Sequence, residues 1–132
     1  MFKQKLFKEF FVLLIWLGIL NYFATINNWY WTVRPFDSVM HFLGGATVGI
    51  FFLWLYFYSG LFAPAKRGLK HFILLSIVSV VFIGVAWEIY ELILGEAELR
   101  KEEYKPDLLL DFIMDFLGAL FASLYAYFKE IK

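Results

Sequence analysis

Residues Gly84–Gly95 read GVAWEIYELILG and close an apolar run, Phe72–Leu94, whose only charges are Glu88 and Glu91. What surrounds those two carboxylates decides the fold. Of 132 residues, 62% are hydrophobic, 23% aromatic and only 18% charged, which is too little polar material to cover a water-soluble surface. Mean hydropathy is +0.70. The run is therefore expected to cross a bilayer, in a multi-pass protein of the cell membrane. Cysteine is absent, which excludes disulfide and thiolate chemistry. The formal net charge of zero argues against a nucleic-acid partner, which calls for a basic excess.

Working outward from this run, three further stretches have the length and composition of membrane spans: Phe10–Ile26, Phe42–Ala65 and Leu108–Phe128. Only Asp111 and Asp115 interrupt the last of them. Unpaired backbone is not tolerated in lipid, so each stretch is expected to be a helix, at about 8–27, 38–59, 69–95 and 107–129. The expected fold is an all-α membrane protein, a compact four-transmembrane-helix bundle forming one domain over residues 1–132. Lys3, Lys5 and Lys8 ahead of an apolar run imitate a signal peptide, but no small-x-small cleavage site follows, so a retained helix is expected.

Lys and Arg counts set the expected orientation. Lys3, Lys5, Lys8, Lys66, Arg67, Lys70, Lys129 and Lys132 share one side, against Arg34, Arg100, Lys101 and Lys105 on the other. This eight-to-four bias predicts that the N and C termini are both cytoplasmic. Aromatic belts agree, with Trp29, Tyr30, Trp31 and Tyr104 toward one boundary and Trp54, Tyr56, Tyr58, Tyr125 and Tyr127 toward the other.

Ionisable residues then converge in depth. RPFDSVMHFLGG (Arg34–Gly45) opens the second span, with His41 one turn beyond Asp37, roughly 6 Å deeper and on the same face. Glu88 lies roughly 9 Å before the outer end of the third span. In KPDLLLDFIMDFLGA (Lys105–Ala119), Asp107, Asp111 and Asp115 recur every fourth residue and form one stripe. Three helices thus direct acids and a histidine to one level in the outer half of the membrane.

Several of these residues also have a plain structural reading. Asp37 and Asp107, each near a proline, suit helix caps. Gly45 and Gly49 form a small-xxx-small pair suited to close helix packing. Asn21 and His71 suit a neighbouring hydrogen bond and an interfacial position, and Glu96, Glu98, Glu102 and Glu103 suit a solvated loop. His41, Glu88, Glu91, Asp111 and Asp115 are harder to explain in this way. A charge at a helix centre costs about 2.5–3.5 kcal/mol on insertion scales, and no Lys or Arg lies inside the four apolar stretches. Either some of the acids are held protonated or metal cations neutralise them. Imidazole and carboxylates on adjacent helices suit a divalent metal (Zn, Mn, Fe or Mg), as in the metal centres of four-helix bundles. The expected ligands are His41, Glu88, Glu91, Asp111 and Asp115, with His41 or Glu88 as catalytic base and Asp37, Arg34 and Asp107 at the rim.

The succession Asp37-x-x-x-His41, Trp87-Glu88-x-x-Glu91 and Asp107-x-x-x-Asp111-x-x-x-Asp115-x-x-Gly118-Ala119 resembles the VanZ-like and YjdF-type family of small bacterial and archaeal membrane proteins. The resemblance covers about residues 35 to 122. VanZ-like proteins usually carry Asn at the last acidic position and often Gln at the second acid of the third helix, so Asp115 and Glu91 place this chain nearer the YjdF-type branch. The resemblance implies that the polar cluster is a family feature; VanZ itself is associated with glycopeptide resistance at the cell envelope.

Three functions are therefore expected to compete. The first is a metal-dependent enzyme acting on a lipid or lipid-linked cell-envelope substrate. The second is a proton- or cation-coupled transporter or channel, which would need a homo-oligomer to complete a path through the apolar inner half. The third is a structural bundle whose acids only lock the helices together.

Overall fold

The computed structural model describes residues 2–62, 68–94 and 101–131; within them, the side chains at 2, 3, 30, 31, 34, 35, 91, 92, 94, 101–108 and 131 lie outside the description. The chain is helical almost throughout: α1 (Phe2–Ile26), the single turn α2 (Trp29–Thr32), α3 (Arg34–Leu53), α4 (Leu69–Leu94) and α5 (Lys101–Ile131). The last turn of α3 widens into a π-helical turn over Trp54–Tyr58. Among the described residues there is no strand. Four segments, Gln4–Ile26, Phe36–Tyr58, Leu69–Tyr90 and Leu109–Glu130, are long and apolar enough to cross a membrane. They are the four expected spans.

Local chemistry explains the breaks between α1 and α3. Asn28 adopts the left-handed conformation at φ 57°, which Asn tolerates better than most residues, and it turns the chain into α2. Val33 is extended and precedes Pro35 in the first turn of α3, where a missing N–H costs nothing. Two starts differ from expectation. Helix α3 begins at Arg34, with Val33 as its cap and no side-chain capping bond, so Asp37 does not cap it. Helix α5 begins at Lys101, which places Pro106 and Asp107 inside the helix instead of at its start.

The bundle is built around α3 and α5, which run in the same direction and make the closest contact in the molecule. An ideal Cβ on Gly45 would collide with the Asp115 carbonyl, and one on Gly118 with the Phe42 carbonyl. One turn further along α3, Gly49 faces Ala119, Ala122 and also Ser76 of α4. Small residues on both helices let the two backbones touch, so the Gly45/Gly49 pair does serve close packing. Helix α4 runs antiparallel to both and presents Gly84 to Phe112.

The apolar core lies toward the end that carries both termini. Leu6, Leu53 and Phe72 are fully buried there beside Ile50, Phe57, Ala122 and Ala126. Phe57, within the π turn, stacks on Phe72 with ring centroids 4.5 Å apart. Helix α1 joins this core through Phe10 against Phe51 at 4.9 Å and Phe7 against Trp54 at 4.5 Å. Beyond that level, Ile15, Trp16, Ile19, Tyr22 and Phe23 of α1 are exposed, a face suited to lipid and not to water.

The buried Ser and Thr side chains are satisfied within their own helices. Thr47, Ser76, Ser79 and Ser123 donate to the carbonyls of Leu43, Ile73, Leu75 and Leu120, at 2.7, 3.1, 2.7 and 2.8 Å. None of these hydroxyls bonds across the bundle in those contacts.

Candidate functional site

The glycine crossing determines what meets at the opposite end of the bundle. On α3, His41 lies one turn before Gly45, and Asp37 one turn before His41; on the parallel helix α5, Asp111 lies one turn before Asp115. With the backbones in contact at Gly45 and Gly118, these two stripes face each other.

The His41 ring sits between three carboxylates. Its Nδ1 is 3.1 Å from Asp115 Oδ1, and its Nε2 is 3.3 Å from Asp111 Oδ2 and 3.7 Å from Asp37 Oδ1. Side-chain exposure falls from 42% at Asp37 to 21% at Asp111 and 17% at Asp115, so the cluster opens at Asp37 and closes at Asp115. The two imidazole nitrogens therefore have different surroundings. Nε2 looks toward the opening and two acids, whereas Nδ1 is held by one deeper acid.

Asp37, His41 and Asp111 form a group that could hold a metal ion, with one ligating atom from each and all within 4.8 Å of one another. Three carboxylates against at most one imidazolium leave an excess of negative charge. At membrane depth such an excess calls for a cation or bound protons. Asp37, expected at the rim, is the most exposed member of this group. The signal for it is the four-residue spacing to His41, which puts both on one face of the helix.

Glu88 is half-buried on α4, one turn beyond Gly84, the residue that faces Phe112 of α5. It does not belong to the group around His41 Nε2. The side chains of Arg34, Glu91 and Asp107, also expected at the site, lie outside the described residues.

Fold and cluster together define the class: a multi-pass helical membrane protein with four spans and an Asp/His/Asp group set between two of them. The chain belongs to the family described as predicted membrane protein (DUF2238), which it matches over residues 5–131. That match takes in all four spans and every residue of the cluster. No curated protein and no solved structure matches the chain.

Proposed function

We propose that the chain binds a divalent metal ion through His41 Nε2, Asp37 and Asp111, and uses it in a hydrolytic or group-transfer reaction on a lipid or lipid-linked substrate at the outer membrane face. The observation that carries this reading is the division of labour on one imidazole: Nε2 faces two acids at the opening while Nδ1 faces Asp115 at 3.1 Å. Metal-binding histidines characteristically donate their second ring N–H to a carboxylate, which sets the tautomer and strengthens the ligand. Asp115 fits that supporting role better than the ligand role the sequence suggests. A bound ion would supply Lewis acidity, polarising an oxygen or activating water. Glu88, half-buried on the neighbouring helix, would serve as general base for that chemistry.

Packing beneath the cluster supports chemistry at one face over passage across the membrane. The close α3–α5 crossing at Gly45 and Gly118 closes the seam directly below Asp115, and the Thr47, Ser76, Ser79 and Ser123 hydroxyls deeper in the bundle bond to carbonyls of their own helices. The resemblance to VanZ-like, YjdF-type proteins belongs to this proposal and accords with an envelope substrate.

The test is calorimetric titration of the chelator-treated protein with Zn, Mn and Mg, accompanied by metal analysis. One ion per chain is expected, with an unfolding temperature that rises as metal is added because only the folded state holds the site. Failure of all three ions to bind would sink the proposal, and pH-dependent ion flux in liposomes would point to the transport reading instead. The orientation has its own test. With both termini cytoplasmic, cysteines introduced at Glu102 and Lys132 should label from opposite sides of the membrane, and labelling from one side would refute that topology.

A further inference from the structure

At the end of the bundle remote from His41, a groove of about 580 Å³ lies between α1 and α5, lined by Lys5, Phe121, Leu124, Tyr125, Phe128 and Lys129. Asp111 and Lys129 lie eighteen residues apart on α5, about 27 Å along the axis, so the groove is separate from the acidic cluster. Its polar groups are arranged asymmetrically. Tyr125 donates its hydroxyl to Glu9 Oε1 at 2.5 Å, which engages the nearby carboxylate. Lys129 lies over the Tyr125 ring, 5.3 Å from its centroid, and approaches Lys5 from the facing helix. Two ammonium groups thus line one end of the trough, with one acid, Glu9, acting on Lys129 and accepting from Tyr125.

We infer that this groove holds one anionic phospholipid, its phosphate between Lys5 and Lys129 and an acyl chain along Phe121, Leu124 and Phe128. Like charges brought together repel, and an anion between them turns that repulsion into two attractions. The apolar residues recur at three- and four-residue spacing, forming a strip about 10 Å long that runs from the lysines toward the bundle centre. A free phosphate would use the lysines and leave this strip bare. An amphiphile with an anionic head uses both, and the bilayer supplies it at the depth where the lysines lie. Phe121 and Phe128 are more than half exposed, so the strip is open to the surrounding lipid.

Native mass spectrometry of the detergent-solubilised chain, with phosphatidylglycerol or phosphatidylcholine added in separate arms, tests the assignment. Phosphatidylglycerol is expected to be retained in preference, with one molecule held per chain. Lys5→Gln and Lys129→Gln should each reduce that preference roughly fivefold, the order expected for one lysine near an anionic headgroup. Leu124→Trp, which keeps both lysines but fills the trough, should displace the lipid as well, while Lys129→Arg should preserve it. The assignment is overturned if the double lysine variant keeps the preference, or if phosphatidylcholine is held equally well. It is also overturned if inorganic phosphate displaces the lipid at similar concentration, since that result would mark a free-anion site.

Discussion

Gly118→Ala is expected to lower the unfolding temperature of the detergent-solubilised protein sharply, although it adds a single methyl group. The new Cβ would lie 2.8 Å from the Ala46 nitrogen and 3.0 Å from the Phe42 carbonyl carbon, and closer still to the carbonyl oxygen. These are backbone atoms, and no rotamer change can move them. Either α3 and α5 separate along their whole contact or the helix bends. Overpacking of a core costs about 1–3 kcal/mol and occasionally more, and the upper end of that range is expected here because backbone must move. Gly45→Ala should behave in the same way, since its Cβ would meet the Asp115 backbone. Gly44→Ala is the control. It has nothing within 4 Å, and replacing a helical glycine by alanine should stabilise by about 0.5–1 kcal/mol. Thermal unfolding followed by circular dichroism makes the comparison, and equal behaviour of Gly44→Ala and Gly118→Ala would show that the close crossing does not exist in solution.

Substitutions at the cluster should separate ligands from support. His41→Ala and Asp111→Asn are expected to abolish measurable metal binding, because each removes a donor from the group around Nε2. Asp115→Asn should weaken binding about 10–100-fold without abolishing it, since an amide can still accept a hydrogen bond from Nδ1 but supplies no charge to strengthen the imidazole. Glu9→Gln, at the far end of the bundle, should leave metal affinity unchanged. Titration of the four variants with the metal that binds the parent gives the ranking. If Asp115→Asn removed binding as completely as Asp111→Asn, Asp115 would be a ligand and the proposed division of the ring would be wrong.

The spans were legible in the sequence because lipid imposes one requirement everywhere: an uninterrupted apolar length with its backbone bonded internally. The shared face of Asp37 with His41, and of Asp111 with Asp115, was legible because four-residue spacing is a property of the helix alone. Which stripes would face each other was not. Gly45 and Gly49 announce close packing, but nothing in their spacing says that α3 chooses α5, two helices on, over its chain neighbour α4. Whether Glu88 or Asp111 joins His41 hangs on that choice, and so does the assignment of Asp115 to Nδ1. The start of α5 at Lys101 was hidden by Pro106, which reads locally as a first-turn residue. The π turn at Trp54–Tyr58 carries no proline, glycine or other local sign.

The pairing of α3 with α5 also has a consequence in time. His41 and Asp115 are separated by 74 positions in the chain. At about 5–20 residues per second, the ribosome needs roughly 4–15 s to travel from one to the other, and longer to release the rest of α5. Throughout that interval α3 already carries Asp37 and His41, while the acids that complete the ring's surroundings have yet to be made. The cluster is thus a late product of translation, absent from every nascent chain that stops short of its last helix.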